Sequence, residues 1–182
     1  MDNFWQQNLR TINNIPEQRI GDFEIIKVNN ETFLIEHYDY IKVWMAGSNE
    51  ERQLYLPLYS KCDKLINGKV LIAGLGLGLD LLNVISNPNV KEIVLIEKQK
   101  EIIDLVWPYV LHDKTKLIHK DIFEFLRTTD EQFDLIYFDI FPGGRMSFPE
   151  EADKLEKLAR QRLRLCGEIV FWEEETDVSR EN

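Results

Sequence analysis

Cysteine is nearly absent. Only Cys62 and Cys166 occur in 182 residues, so the chain cannot carry a disulfide framework, and a reduced, cytoplasmic protein is expected. Basic charge is in deficit: 22 Lys and Arg stand against 32 Asp and Glu, a formal net charge of −10. Such a chain repels phosphate backbones, which argues against nucleic acid as a partner. Long apolar runs are missing. The longest, Val70–Leu79, has ten residues, three of them glycine. That is too short to span a bilayer, and no membrane partner is expected. The opening Met1-Asp2-Asn3-Phe4-Trp5-Gln6-Gln7-Asn8 lacks the pattern of a signal peptide. The three histidines, His37, His112 and His119, are scattered without metal-ligand spacing, so no metal site is expected. Neither cysteine has an obvious activating neighbour, and packing is the expected role of both. Trp44, Trp107 and Trp172 are expected in the core or an interface.

What is present is enough for one core. Apolar residues make up 44% of the chain and charged residues 30%, as in an ordinary folded domain. The period of the apolar residues changes near Gly68. Residues 1–67 read as a helix over Phe4–Ile12, short strands at Phe23–Val28, Thr32–Glu36 and Tyr40–Met45, and a linking helix. Asn29-Asn30-Glu31 predicts a hairpin turn. Ser48 or Asn49 caps the linking helix, which carries Leu54, Tyr55 and Leu58 and should bend at Pro57. This segment is either part of the main domain or a small appendage.

Residues 68–182 alternate regularly. Val70–Ala73, Ile93–Ile96, Lys116–Ile118, Phe133–Phe138 and Ile169–Trp172 are runs of strand length without in–out alternation, as strands buried on both faces require. Helical spacing separates them, including Leu155, Leu158, Ala159 and Leu163. The pattern predicts a parallel, doubly wound α/β sheet that stops after its fifth strand. The N-terminal strands or a second subunit should then cover the apolar edge of that last strand, and a homodimer is favoured.

Ligands of such sheets bind at the carboxyl ends of the strands. The first strand ends in Gly74-Leu75-Gly76-Leu77-Gly78, which permits a tight turn and close approach of a ligand to free backbone N–H groups. A plain strand-to-helix turn is the alternative. The dinucleotide fingerprint needs another glycine where Leu79 stands, which weakens a nicotinamide reading. The second strand ends in Glu97, about 20 residues further on, where an acid can accept from both ribose hydroxyls; a surface glutamate beside Lys98 is the alternative. Asp121, after the third strand, could take an adenine amino group with the Ile122 backbone reaching the ring, cap the next helix, or both. Asp139, after the fourth, could orient or deprotonate an acceptor, or merely form a turn. Gly143-Gly144 beyond it could make a mobile lid.

These four strand ends together resemble the class I S-adenosylmethionine-dependent methyltransferases, and within them the spermidine synthase-like branch. The likeness covers about residues 69–172. A fainter similarity reaches back over the N-terminal strands to Leu56-Pro57-Leu58. The resemblance implies a Rossmann-like core that binds S-adenosyl-L-methionine. In it Gly74, Gly76 and Gly78 approach the methionine part, Glu97 holds ribose, Asp121 holds adenine, and Asp139 lines the reaction centre and is the catalytic candidate. Lys98 departs from the family, standing where an apolar residue often packs on adenine, a place its alkyl stem could still take beside Ile122. It implies a transferase acting on a small-molecule substrate. The chain departs from spermidine synthases at Leu77, where they carry an acid, and at Ile140-Phe141-Pro142, where they carry a second. Methyl transfer is therefore the leading expectation. Aminopropyl transfer and a non-catalytic nucleoside-binding or structural relative are the rivals.

Overall fold

The structure, a computed structural model, describes residues 2–53, 55–65 and 67–172. Leu54 and the end of the expected core, residues 173–182, lie outside the described residues. Helix α1 (Asp2–Asn13) leads into four strands, β1 (Gln18–Ile20), β2 (Phe23–Val28), β3 (Glu31–His37) and β4 (Ile41–Ala46). They pair antiparallel in that order. Asn29 and Asn30 make the turn between β2 and β3 with φ of 51° and 67°, the left-handed pair that a two-residue hairpin needs and that asparagine tolerates. Glu31, expected in the turn, already pairs with Val28.

Two helices follow where one bent helix was expected: α2 (Asn49–Gln53) and α3 (Leu56–Cys62). Pro57 lies in the first turn of α3, where its missing N–H breaks no helical bond. It starts a helix rather than bending one. Ser48 caps α2, its Oγ accepting from the Glu51 N–H at 3.2 Å.

The remainder alternates as the apolar pattern requires: β5 (Gly68–Ala73), α4 (Leu79–Ile85), β6 (Val90–Glu97), α5 (Lys100–Val110), β7 (Thr115–His119), α6 (Ile122–Thr128), β8 (Phe133–Phe138), α7 (Pro149–Arg160) and β9 (Leu163–Phe171). The five strands are parallel, in the order β7-β6-β5-β8-β9. This is a Rossmann-like sheet with a small antiparallel N-terminal segment. Successive residues of β5 serve opposite faces. Val70 and Ile72 share a core with Trp5, Ile25, Leu34 and Leu105. Leu71 and Ala73 share another with Phe125, Leu126 and Leu155. The N-terminal segment is thus built into one of the sheet's two cores. Among the described residues no helix is long and apolar enough to cross a membrane.

The last strand differs from expectation in three ways. Leu163 opens β9 rather than closing α7. Between Leu163 and Glu168 the pairing with β8 shifts register. Cys166, with φ 65°, lies within that irregular stretch and is exposed, so it does not have the packing role expected of it. Finally, the N-terminal strands form their own sheet and leave β9 unpaired on its outer side among the described residues.

Candidate functional site

Parallel register sets the strand ends level. Ala73 lies beside both Ile96 and Phe138, and Glu97 beside His119. Gly74, Glu97 and Asp139 therefore meet at one edge of the sheet, flanking its central strand. A cavity of about 460 Å³ opens there, within the size range of small-molecule sites. The strand ends contribute Gly74, Gly76, Glu97, Lys98, Asp121, Ile122 and Asp139 to its lining. Lys42, Trp44 and Met45 of β4 line it too, with Tyr55 and Trp172. Trp44 and Trp172, expected in the core or an interface, thus also line this space.

Glu97 is 6% exposed. One of its oxygens accepts from the Leu75 N–H at 2.8 Å and the other from the Gln99 N–H at 2.7 Å. Burial pushes its carboxyl above the usual range, and these backbone donors pull it back. Glu97 thereby ties the glycine loop to β6. It is no surface glutamate. Asp121 caps α6: its Oδ1 accepts from the N–H of Phe123 at 2.9 Å and of Glu124 at 3.4 Å. Its Oδ2 lies 3.2 Å from Lys98 Nζ. Although burial works the other way, the Lys98 ammonium and the two N–H donors hold the Asp121 carboxyl below its usual range. Capping and a ligand role remain compatible, because Oδ2, which meets only Lys98, has a further acceptor position. Ile122, the first residue of α6, is buried beneath the cavity lining.

The glycine loop behaves differently from expectation. Gly74, Gly76 and Gly78 all have positive φ, 102°, 49° and 82°. A Cβ on Gly74 would collide with the Asp139 carbonyl, one on Gly76 would lie 2.7 Å from Met45, and one on Gly78 would lie 2.9 Å from Val110. The Asp139 backbone thus excludes any side chain at Gly74, and positive φ favours glycine at all three positions. The N–H groups expected to be free for an anion are largely in use: Leu75 donates to Glu97, Leu77 to Met45 Sδ at 3.2 Å, and Gly78 to the Leu75 carbonyl. Leu77 itself is fully buried in the core. An acid at that position would enter the core on this backbone, so it cannot serve as a donor-reading residue.

At the other end of the cavity Asp139 meets a second acid, Asp80, in the first turn of α4. Asp80 is 3% exposed, and its side chain is within hydrogen-bonding reach of Asp139. The start of α4 favours an ionised Asp80 by about 0.3–1 kcal/mol. That is too little against burial beside another carboxyl, where the desolvation cost is several kcal/mol per ion. Burial, reinforced by Asp139, accordingly pushes the Asp80 carboxyl well above the usual range. Burial raises Asp139 to about 6, with the Asp80 hydrogen bond restraining it. Asp80 Oδ1, the Tyr137 hydroxyl and Trp172 Nε1 are buried without hydrogen-bond partners among the described residues.

The segment after β8, where Gly143-Gly144 could make a mobile lid, contacts α7 and β9 in this structure. Arg145 binds Glu156 at 2.6 Å and Asp153 at 2.8 Å, and its guanidinium lies 4.9 Å from the Phe171 ring centroid. Phe141 stacks between Phe148 and Phe171, with centroids 5.5 and 6.4 Å away.

No protein-family model matches the sequence, and no curated protein is similar to it at a significant level. Solved structures are similar in fold. A spermidine synthase from Thermotoga maritima is 16% identical, with a TM-score of 0.56 over 78% of this chain and 55% of that one. A putative SAM-dependent methyltransferase from Streptococcus mutans is 14% identical, with a TM-score of 0.54 over 84% of this chain and 41% of that one. An SAH-bound methyltransferase from Podospora anserina is 21% identical, with a TM-score of 0.52 over 67% of this chain and 52% of that one. This chain has the class I methyltransferase-like fold. It spans about half the length of these structures or less.

On this methyltransferase-like fold the strand-end residues singled out from sequence all line one cavity, apart from Gly78, whose tight contact is with Val110. Sequence reasoning missed Asp80, Tyr55, Tyr137 and the β4 residues. A lone aspartate within the apolar run Leu79-Asp80-Leu81-Leu82 was the one available signal for the first of these.

Proposed function

We propose that the chain is an S-adenosylmethionine-dependent methyltransferase of a small-molecule acceptor. The observation that carries this reading is the single cavity joining Glu97 and Asp121 at one end to Asp139 at the other, on a methyltransferase-like fold. Its residues fit such a donor. Glu97 uses one backbone bond on each oxygen, and a carboxylate has about four acceptor positions, so ribose hydroxyls have a place. Asp121 and the Lys98 stem border the same space, where an adenine would lie. When bound, S-adenosylmethionine supplies an electrophilic methyl on its sulfonium. Asp139 is then the group that accepts the hydrogen of the acceptor and orients its nucleophilic atom, and alignment is the protein's main contribution.

Aminopropyl transfer is the second reading. Asp80 and Glu51 lie close enough to Asp139 to influence it or each other, which makes the acceptor end more acidic than Leu77 and Ile140-Phe141-Pro142 alone imply.

Calorimetry with S-adenosylmethionine and its decarboxylated form tests both. Binding of the first, weakened at least about tenfold in Glu97→Gln through loss of a charge-assisted hydrogen bond, is the expected result. A clear preference for the decarboxylated form overturns methyl transfer in favour of aminopropyl transfer. Absence of binding by either overturns both.

A further inference from the structure

We propose that Asp80 shares one proton with Asp139 and, by donating it, keeps Asp139 as the ionised carboxylate facing the cavity. Asp80 is then a positioning residue that acts through Asp139. The inference deepens the reading of Asp139 as the acceptor-facing group and rests on that reading for its functional meaning. The proton sharing itself needs no bound donor.

The geometry is that of two acids in contact with unequal access to water. Asp139 lines the cavity. Asp80 does not, and lies between the buried residues Leu79 and Leu81 at the start of α4. Its Oδ1 meets no donor among the described residues. Two ionised carboxylates in such a place repel each other without solvent to screen them. One proton between them replaces that repulsion with an O–H···O⁻ bond, among the strongest available to side chains. The proton belongs on the deeper acid, because charge is best left where water or a ligand can solvate it. Burial raises both carboxyls above their ordinary values.

Among the described residues, the groups that act on the pair include no cation. Facing Asp80 are Glu51 of α2, Tyr55 at the start of α3, Cys62 at its end and Tyr137 of β8. Glu97 of β6 faces Asp139. All are acids, phenols or a thiol, and none can neutralise the pair. The pair therefore carries one negative charge, not two. It is built to take a single N–H or O–H of the acceptor on Asp139.

Carbon-13 NMR titration of the full chain labelled in aspartate carboxyls reads the pair directly. In the unmutated chain one of the two carboxyls should stay protonated at pH 7, while Asp139, assigned with Asp139→Asn, ionises near 6. In Asp80→Asn, whose amide still donates, Asp139 should ionise no higher than in the unmutated chain. In Asp80→Leu, which cannot donate, it should move up by about one to two pH units. Both carboxyls ionising by pH 5 in the unmutated chain overturns the proposal. So does an identical Asp139 titration in the Asn and Leu variants. If Asp80→Leu does not fold, the titration of the unmutated chain decides alone. Calorimetry with S-adenosylmethionine, run separately, reports on donor binding. Its failure would remove the methyltransferase reading and leave the proton sharing standing.

Discussion

Glu97 and Asp121, at one end of the cavity, are each held by backbone N–H groups. On the Asp139 side, Asp80 and Tyr137, outside the cavity lining, and Trp172, within it, bury polar atoms that meet no partner among the described residues. The difference is one of origin. Three of the four N–H groups at the first end come from within two or three residues of the acid they bind, and the same bonds that would position a ligand also hold the loop and start α6. The second group comes from α4, β8 and the residue after β9, and among the described residues nothing bonds its three buried polar atoms. A buried polar group without a partner costs about 1–3 kcal/mol. Stability is thus gained at one end and given up at the other, as expected where a site is prepared for a ligand.

Acidity should break the comparison most strongly. The folded-state carboxyl of Asp139 is raised from 3.8 to about 6, and that of Asp80 is raised well above its ordinary value. The folded chain binds more protons than the unfolded one in that window, so stability falls as pH rises through it. Asp139 alone should contribute a loss of about 3 kcal/mol between pH 4 and 7, at 1.36 kcal/mol per unit. Asp80→Asn should flatten this slope and melt higher than the unmutated chain at pH 7. Thermal melts across pH 4–7 check both. A steeper slope in the variant would contradict a costly carboxyl pair.

Asp121→Ala acts at the opposite end and should have the opposite sign. It removes the cap of α6, at a cost of about 1 kcal/mol, or a fall in Tm of about 2–4 °C for a chain of this size. The exposed Lys98, at 68%, adds little to that figure. Denaturant unfolding with an unchanged m-value would confirm that only stability has moved.

The smallest effect sharpens the contrast. Tyr137→Phe deletes a hydroxyl that has no partner among the described residues. The unliganded chain should change by no more than about 0.5 kcal/mol or gain slightly. A loss of 2 kcal/mol or more in chemical denaturation, on the order of a buried hydrogen bond to a charged group, would place Tyr137 among the satisfied groups instead.

Legibility in the sequence follows the same division. The strand from Phe133 to Phe138 was readable to the residue, because a strand buried on both faces shows as a largely apolar run without alternation, here broken only by Asp134. The Asn29-Asn30 turn was readable because positive φ restricts the choice of residue. The N-terminal end of α3 was not, because a proline reads alike as a bend and as a first-turn residue. Glu97 and Asp121 stood out by their distance from the glycines and by position at strand ends. Leu77 misled: its place in the loop implied a ligand-facing side chain, whereas the left-handed glycines on either side turn it into the core. Met45 and Trp44 gave no signal at all, since their place over the glycine loop depends on how the N-terminal sheet docks.

The sequence by itself determined the parallel sheet, the order of its elements and the acids at its strand ends. These follow from local rules: apolar period, glycine conformation and helix capping act over a few residues and need no distant partner. Only the tertiary structure decided which side chains share the cavity, that Asp80 lies against Asp139, and that the segment after β8 contacts α7 through Arg145. Residue 80 stands on α4 and residue 139 just beyond β8, and only the folded chain brings their side chains within reach. Burial and the mutual charge of two acids exist only once the water between them has been excluded.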